Sequence, residues 1–403
     1  MNQVDTHAQP SSPARQPWQA AQIHIHGDRI YIGNVLPVTA QGEFLASKNI
    51  GAQTEAVFQR LRDALVLAGC GLADLVRINT YYVYNGPEDG ATRYWEEMTA
   101  VRLKYFEDPG PVGTAVRVAG TARHGMLIQL EAEALLPSQR SSRRRIMPTD
   151  SWDWSVPVPL SQGWRQGDHL WVGGQVCADR QGRAVSLGDL ATQTATVLRY
   201  IRNVLHDGDA CDDDLLHLKI CYLHDGDEAE SARRLNDILL LCKRTFGDAR
   251  PATTAFGVNL LYEGLLLEID ASAVVGGAHR EQTTQASRRG RFIQVSAQGA
   301  GAAEDPLSLQ VLQASLGRCL REVESLGGQP ADVCRLTVFI AAPAWLTANI
   351  DDAADVQRTL RSAWSGGRAP AITVSVVAGL PGDTMLQIDC LACLTDCDGS
   401  ELT

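Results

Sequence analysis

One pattern recurs three times along this 403-residue chain, and the repetition limits the available folds more than any other feature. The segments GPVGTAVRV from Gly110, RPATTAFGV from Arg250 and RAPAITVSV from Arg368 each carry a proline at the head of a β-rich run. An apolar strand follows each of them: MLIQLEAEA, LLLEIDASA and MLQIDCLAC. Three further anchors keep the same register: Gln53, Gln193 and Gln313 in a helical stretch, Asp74, Asp214 and Asp332 after the next loop, and Glu131, Asp270 and Asp389 in the last strand. With Pro111, Pro251 and Pro370, these anchors are spaced 139–140 residues apart from the first copy to the second and 118–120 from the second to the third. Solenoid units are roughly 20–50 residues long, so copies of this length are domains.

Each copy reads alike. A β pair opens it, within RIYIGNVLPVTAQGEFL, HLWVGGQVCADRQGRAV and RFIQVSAQGAGAAED, with turn residues as punctuation. An amphipathic helix follows, in copy one from about Ile50 to Ala68, and the three helices end at Gly69, Gly208 and Gly327. Next come the strands LVRINTYYV, LLHLKICYL and VCRLTVFIA, then a second helix over roughly Ala91–Phe106, Glu228–Phe246 and Ala353–Trp364. The two final strands carry the repeated motifs. The order predicts an α+β fold, with two helices on one face of a mixed sheet in each domain. The expected boundaries are a polar, disordered lead-in at 1–16, domains at 17–137, 152–276 and 289–396, a basic linker at 138–151, a second linker at 277–288, and a tail at 397–403.

A net charge of −11 argues against nucleic acid as the main partner, since phosphate binding needs a basic field. The basic runs Arg140–Arg145 and Arg288–Arg291 fall between copies and read as solvated linkers. No apolar run approaches the roughly 18 residues that span a bilayer, so no membrane partner is expected. Ten cysteines without a signal-like stretch ahead of them suggest a cytoplasmic protein with reduced thiols.

The GGQ at Gly173–Gln175, the SAQ at Ser296–Gln298, helices ending in Ala-Gly before a short loop and Asp, and the Pro-headed motif before the last strand resemble the RidA family, also called YjgF, of reactive-imine deaminases. The resemblance covers nearly the whole chain and is strongest from about Pro159 to Val275. It implies three tandem RidA-like, chorismate-mutase-like domains. Members of that family form homotrimers with ligand clefts between subunits, so three fused copies imply an intramolecular pseudo-trimer with three unequal clefts. It is expected to be monomeric, with further dimerisation open.

In that family an arginine two residues after the motif proline grips the substrate carboxylate, a task suited to a planar guanidinium. Here the position holds Gly113, Thr253 and Ile372. The family's last-strand glutamate, which positions a water near the imine, corresponds to Gln129, Glu268 and Gln387. Only Glu268 keeps a carboxylate able to act as a general base; the alternative is a solvated strand carboxylate. Strand alternation sets Thr253, Ala255 and Gly257 on one side, and the resemblance turns Thr253 toward Glu268, so Glu268 and Thr253 are the candidate catalytic pair. Arg117, on the strand face of Gly113, is a candidate replacement cation or else a cross-strand surface arginine. The SGQ-like positions Gly33 and Asn34, Gly173 and Gly174, and Ser296 and Ala297 would offer backbone groups to a ligand. Paired glycines in copy two permit close approach, or mark a bulge. With Gln129 and Gln387, the substrate-binding candidates are therefore Asn34, Arg117, Gly173, Gly174 and Ser296. Ile372, Val374 and Val376 predict a filled or apolar cleft.

Other motifs carry less. Cys390, Cys393 and Cys397 could suggest a metal cluster, but Cys390 falls in the last strand and the run reads as structural. His24 and His26 share one strand face, as two metal ligands can, yet no third ligand is identifiable in the sequence. Trp152, Trp154 and Trp164 read as linker packing. No metal and no cofactor is expected. The function expected is an enzyme acting on a small-molecule imine, enamine or related conjugated intermediate in a specialised biosynthetic or catabolic pathway, by water activation (hydrolysis or deamination) or by acid–base rearrangement of isomerase or cyclase type, and not a general deaminase of carboxylate-bearing imines. A chorismatase-like hydrolase and a non-catalytic ligand- or partner-binding scaffold are the alternatives.

Overall fold

A computed structural model describes residues 21–39, 41–45, 47–260, 264–276, 279–299, 301, 305, 307–347, 353–365 and 367–395. The stretches 1–16 and 397–403, with Cys397, lie outside the described residues. Copy one contains β1 (Gln22–His26), β2 (Arg29–Val35), α1 (Ile50–Leu67), β3 (Leu75–Tyr82), α2 (Ala91–Arg102), β4 (Val112–Arg117) and β5 (Ile128–Leu135). Copy two contains β6 (Arg143–Ile146), β7 (Gly163–Gln166), β8 (His169–Gln175), α3 (Leu190–Asp207), β9 (Leu215–Leu223), α4 (Glu228–Phe246), β10 (Ala252–Val258) and β11 (Leu267–Val274). Copy three contains β12 (Arg280–Gln282), β13 (Ala286–Arg289), β14 (Phe292–Gln298), α5 (Leu309–Ser325), β15 (Val333–Ala341), the short α6 (Ala342–Thr347), α7 (Ala354–Arg361), β16 (Ala371–Val377) and β17 (Leu386–Cys393).

The sheets share one topology. Copy one runs β1-β2-β5-β3-β4, copy two β6-β7-β8-β11-β9-β10 and copy three β12-β13-β14-β17-β15-β16. Among the described strand pairs of the three sheets, only β3/β4, β9/β10 and β15/β16 are parallel, each pair joined through the copy's second helical region, as a parallel crossover requires. Local chemistry explains the boundaries. Asn49, Asp189 and Ser308 cap the first helix of each copy, and Gly69 and Gly327 take positive φ just beyond the helix ends. The repeated aspartates each accept an amide hydrogen bond within a tight turn, Gly71 to Asp74, Cys211 to Asp214 and Gln329 to Asp332.

Two local expectations are corrected. The sequence places the opening β pair after the first strand; the structure pairs β2, β8 and β14 with the upstream β1, β7 and β13, across turns at Gly27, Gly167 and Gly290, all with positive φ. The downstream halves form only isolated bridges such as Val38–Phe44 and Ala178–Ala184. The basic runs are not free solvated linkers either. Arg143–Arg145 lie in edge strand β6, and Arg289 is buried and donates to the Asp213 and Ala249 carbonyls.

The copies meet through their motif strands. β4 lies against β8, β10 against β14, and β16 against β2. Inside them sits a buried charged cluster. Lys219 pairs with Asp270 at 2.6 Å, Arg335 bridges Glu133 at 2.5 Å and Asp389 at 3.3 Å, and His217 lies 3.1 Å from Asp389. Thr114 and Thr254 donate across copies to Asp270 and Asp389, and Thr337 donates to Glu131. Burial alone would raise the Asp389 carboxyl; the His217 and Arg335 charges and the hydrogen bonds outweigh it and hold it well below the usual range. Removing one partner leaves an uncompensated buried charge. Arg335→Ala is expected to cost about 3–5 kcal/mol in chemical denaturation; a loss below about 1 kcal/mol would show that the cluster does not bind the copies together.

Candidate active site

Glu268 is the second residue of β11 and is 8% exposed. Its position is set from behind by the repeated Gln193, whose amide accepts from Leu266 N at 2.8 Å and donates to the Gly264 carbonyl at 2.7 Å. Gln53 holds the matching loop of copy one in the same way, whereas Gln313 is exposed. Burial first, and then the Asp270 carboxylate, raise the Glu268 carboxyl to about 8, against the pull of Lys219 and a hydrogen bond from the Ala115 amide. At neutral pH it is therefore mostly a neutral acid. In that state the group can donate a proton before it can accept one, whereas the sequence reads it as a general base.

Glu268 lines a narrow cleft, with about 40 Å³ open to water-sized molecules, built by copies one and two. Copy one supplies Trp95 and Arg102 from α2 and Gly113 and Ala115 from β4; copy two supplies Gly174, Val176 and Leu265, with Trp152, Trp154 and Leu160 from the segment joining its β6 to β7. Trp152 is fixed by a hydrogen bond from its indole to Gln175, and its ring lies 4.8 Å from that of Trp154. Both tryptophans thus face the cleft as well as packing the connecting segment. Trp164 lies apart, in a cluster with Val76, Val112 and Trp171.

A cation also faces this cleft, but from another element than the motif. A Cβ at Gly113 would lie 3.2 Å from Leu160, so an arginine there would have to displace Leu160. Arg102 enters instead from the last turn of α2. It is 4% exposed, its guanidinium donates to Thr99 and lies 5.7 Å over Trp95, and among the described residues no carboxylate pairs with it. Burial pushes its pKa down to about 10, which leaves it charged at neutral pH. Sequence reasoning missed it. The signal was an arginine on the buried stripe Trp95, Met98, Thr99, Arg102 of an amphipathic helix.

The other candidates separate. Thr253 does not face Glu268. Glu268 registers with Cys221 and Cys221 with Phe256, and the pleat puts positions 253 and 256 on opposite faces. The Thr253 hydroxyl donates to the Pro251 carbonyl. Arg117 is taken up by both Glu88 carboxylate oxygens, at 2.9 and 3.0 Å, and by the Tyr84 carbonyl, and it does not line the cleft. Gly173 and Gly174 give room to protein groups: a Cβ at Gly173 would meet the Gly113 backbone at 3.3 Å, and one at Gly174 would overlap Glu268 Oε1. Gly174→Ala is thus expected to displace the Glu268 carboxyl and to cost about 1–3 kcal/mol of stability by overpacking, measured by denaturant unfolding beside turnover; unchanged stability and turnover would show that Glu268 is not confined there.

Where copy three meets copy one, the space is closed by side chains. Gln129 is fully buried, accepting from Ala122 N and donating to the Val374 carbonyl, while the Asn34 side chain accepts from Gln357 and its backbone N–H donates to the Thr373 hydroxyl. Ile372 and Val374 are core residues there, as the sequence implies. In copy three Gln387 donates to Ser296. Cys390 and Cys393 are buried strand residues, in line with a structural role. Cys334 supplies what the sequence did not show beside His24 and His26: one ligand atom from each of the three lies within 4.8 Å of the others.

A family model described as "Endoribonuclease L-PSP" matches residues 9–136 and 155–275. A RutC family protein of Pyrococcus abyssi is 28% identical over 115 residues, covering 28% of this chain and 85% of the relative. A RutC family protein of Pyrococcus horikoshii is 29% identical over 115 residues, covering 28% and 86%. Among solved structures, a YjgF/YER057c/UK114 family member from Mycobacterium tuberculosis is 27% identical, covering 33% of this chain and 100% of its own, with a TM-score of 0.28. A chorismatase structure is 15% identical, covering 64% of this chain and 78% of its own, with a TM-score of 0.47.

Proposed function

The chain belongs to the endoribonuclease L-PSP family, and from that footing we propose that the cleft between copies one and two is the active site of an enzyme acting on a small, planar, carboxylate-bearing imine, enamine or related conjugated intermediate. The observation that carries this is a buried, mostly neutral Glu268 and an acid-free Arg102 lining one cleft with three tryptophans. Arg102 takes over the anion-binding task of the missing motif arginine from a new direction, so the substrate lies differently from a family imine. The tryptophans accept a flat conjugated body.

For an enamine the steps balance as follows. Glu268 donates its proton to the nucleophilic β-carbon, and the nitrogen lone pair forms the iminium. Water then attacks the iminium carbon as the Glu268 carboxylate takes its proton. Collapse of the carbinolamine, with Glu268 donating its proton to the departing nitrogen and its carboxylate then taking the hydroxyl proton, releases ammonia and the carbonyl product and restores the neutral acid. A rearrangement would use the same acid–base pair of states.

A chorismatase-like reaction needs cations for two carboxylates, and Arg102 is the one cation lining the cleft among the described residues. The closed space around Gln129 and Asn34 suits a retired site, which limits the non-catalytic reading to that part of the molecule. The contacts of β4 with β8, β10 with β14 and β16 with β2 support a one-chain pseudo-trimer whose clefts have diverged. The net charge of −11 disfavours RNA as the substrate. Among the described residues no helix is long and apolar enough to cross a membrane.

A binding titration tests the proposal. A stable planar α,β-unsaturated carboxylate should quench tryptophan fluorescence saturably, and its methyl ester should bind at least about tenfold more weakly, the loss of one charge-assisted contact. Equal binding of acid and ester, or no saturable quenching, would overturn the assignment.

A further inference from the structure

We propose a zinc-binding site of ligand set His24, His26 and Cys334, which ties the first strand of copy one to copy three and is separate from the Glu268 cleft. His24 and His26 stand two apart on β1 and so project from the same side of the strand. β1 packs against β15 and β16, and Cys334 lies near the start of β15. The three ligand atoms lie within 4.8 Å of one another. Ligands around a tetrahedral Zn2+ stand roughly 3.3–3.7 Å apart, from bonds of about 2.0 Å to nitrogen and 2.3 Å to sulfur. A closure of about 1 Å through side-chain rotation completes the set.

The state of His24 is what points to a metal. It is 3% exposed, and its Nδ1 lies 3.1 Å from the Ala369 carbonyl. A carbonyl can only accept, so Nδ1 carries the proton and the lone pair is on Nε2. That Nε2 is buried with no hydrogen-bond partner among the described residues. A buried lone pair without a donor is costly, and an imidazole held through its other nitrogen by a backbone carbonyl is the usual posture of a metal-bound histidine. A second orphan adjoins it: the Tyr31 hydroxyl, buried without a partner among the described residues, lies in one apolar cluster with Cys334 and Cys393. His26 is half-buried and gives the ion its path from solvent.

The donors fit Zn2+ better than a hard cation, since two imidazoles and a thiol favour borderline-soft metals over Mg2+ or Ca2+. Binding releases the Cys334 proton to solvent and leaves a fourth position for water. The carbonyl that orients His24 belongs to Ala369, the residue before the motif proline of copy three. The metal would therefore couple β1 to the strand that closes copy three on copy one.

The test uses the full chain, free of any affinity tag and stripped with a chelator, titrated with Zn2+ and, separately, with Co2+. One equivalent of Zn2+ should bind and raise the melting temperature. One equivalent of Co2+ should give tetrahedral visible bands and a thiolate-to-metal charge-transfer band in the near ultraviolet. Cys334→Ser should abolish the charge-transfer band. His26→Ala, at a half-buried position that tolerates truncation, should weaken Zn2+ binding at least about a hundredfold, as loss of one of three ligands implies. No Zn2+ binding by the unaltered chain, or binding and thiolate absorption unchanged in His26→Ala, would overturn the site. Because neither readout uses turnover, failure here leaves the Glu268 assignment untouched, and the reverse.

Discussion

Glu268→Gln is expected to lower turnover by about 10²–10⁴-fold, the usual contribution of a positioned acid–base group, while making the protein more stable at and above neutral pH. The two effects have one cause. Burial and Asp270 lift the carboxyl from its ordinary 4.5 to about 8. Between those values the unfolded chain has already lost the proton that the folded chain retains, so stability declines as pH rises through the interval. The favourable contribution of neutral Glu268 is complete below 4.5 and gone above about 8, a difference of a few kcal/mol at roughly 1.4 kcal/mol per unit. Glutamine has no proton to lose, yet its amide oxygen still accepts from Ala115. The variant should therefore match the parent at pH 4.5 and exceed it progressively toward pH 8. The parent's kcat/KM should fall above about pH 8, as the acid form disappears. Unchanged turnover in the variant would remove Glu268 from the chemistry; a stability gap that does not grow with pH would show that the carboxyl is ionised in the fold.

Arg102→Met should raise KM for a carboxylate-bearing substrate by about 10–100-fold, since a hydrogen bond to a charged group is worth roughly 1.5–3 kcal/mol. A neutral ester of the same substrate should bind both proteins alike. Stability should hold or rise, because a guanidinium buried without a carboxylate is replaced by an apolar chain of similar reach. Arg102→Lys should restore only part of the affinity, since an ammonium lacks the fork that meets both carboxylate oxygens. Equal loss for acid and ester would mean that Arg102 shapes the cleft wall without binding an anion.

What the sequence reveals and what it hides divide along physical lines. Helix and strand positions follow from periodicity, capping and repetition, and α4 falls at Glu228–Phe246 as its pattern implies. Repetition also exposes Glu268 as the carboxylate kept at a position where the other copies hold Gln129 and Gln387. It cannot say which copy faces which. Glu268 looks across to Ala115 and Gly113, more than 150 residues away, and not to Thr253 on the opposite face of its own sheet. Arg102 escapes a search by register because it enters the cleft from helix α2 and not from the motif strand. Cys334 escapes because β1 meets β15 only when copy three closes on copy one. The glycines at 173 and 174 read in the sequence as room for a ligand, but what approaches them is the Gly113 backbone and the Glu268 carboxyl.

The most direct test is a crystal structure of the protein soaked with a planar α,β-unsaturated carboxylate. The ligand is expected between β4 and β11, its carboxylate on the Arg102 guanidinium, its flat body against Trp95, Trp152 and Trp154, and its conjugated carbon beside the Glu268 carboxyl. A ligand lodged beside Thr253 or Gln129 instead, with the Glu268 cleft empty, would contradict the assignment.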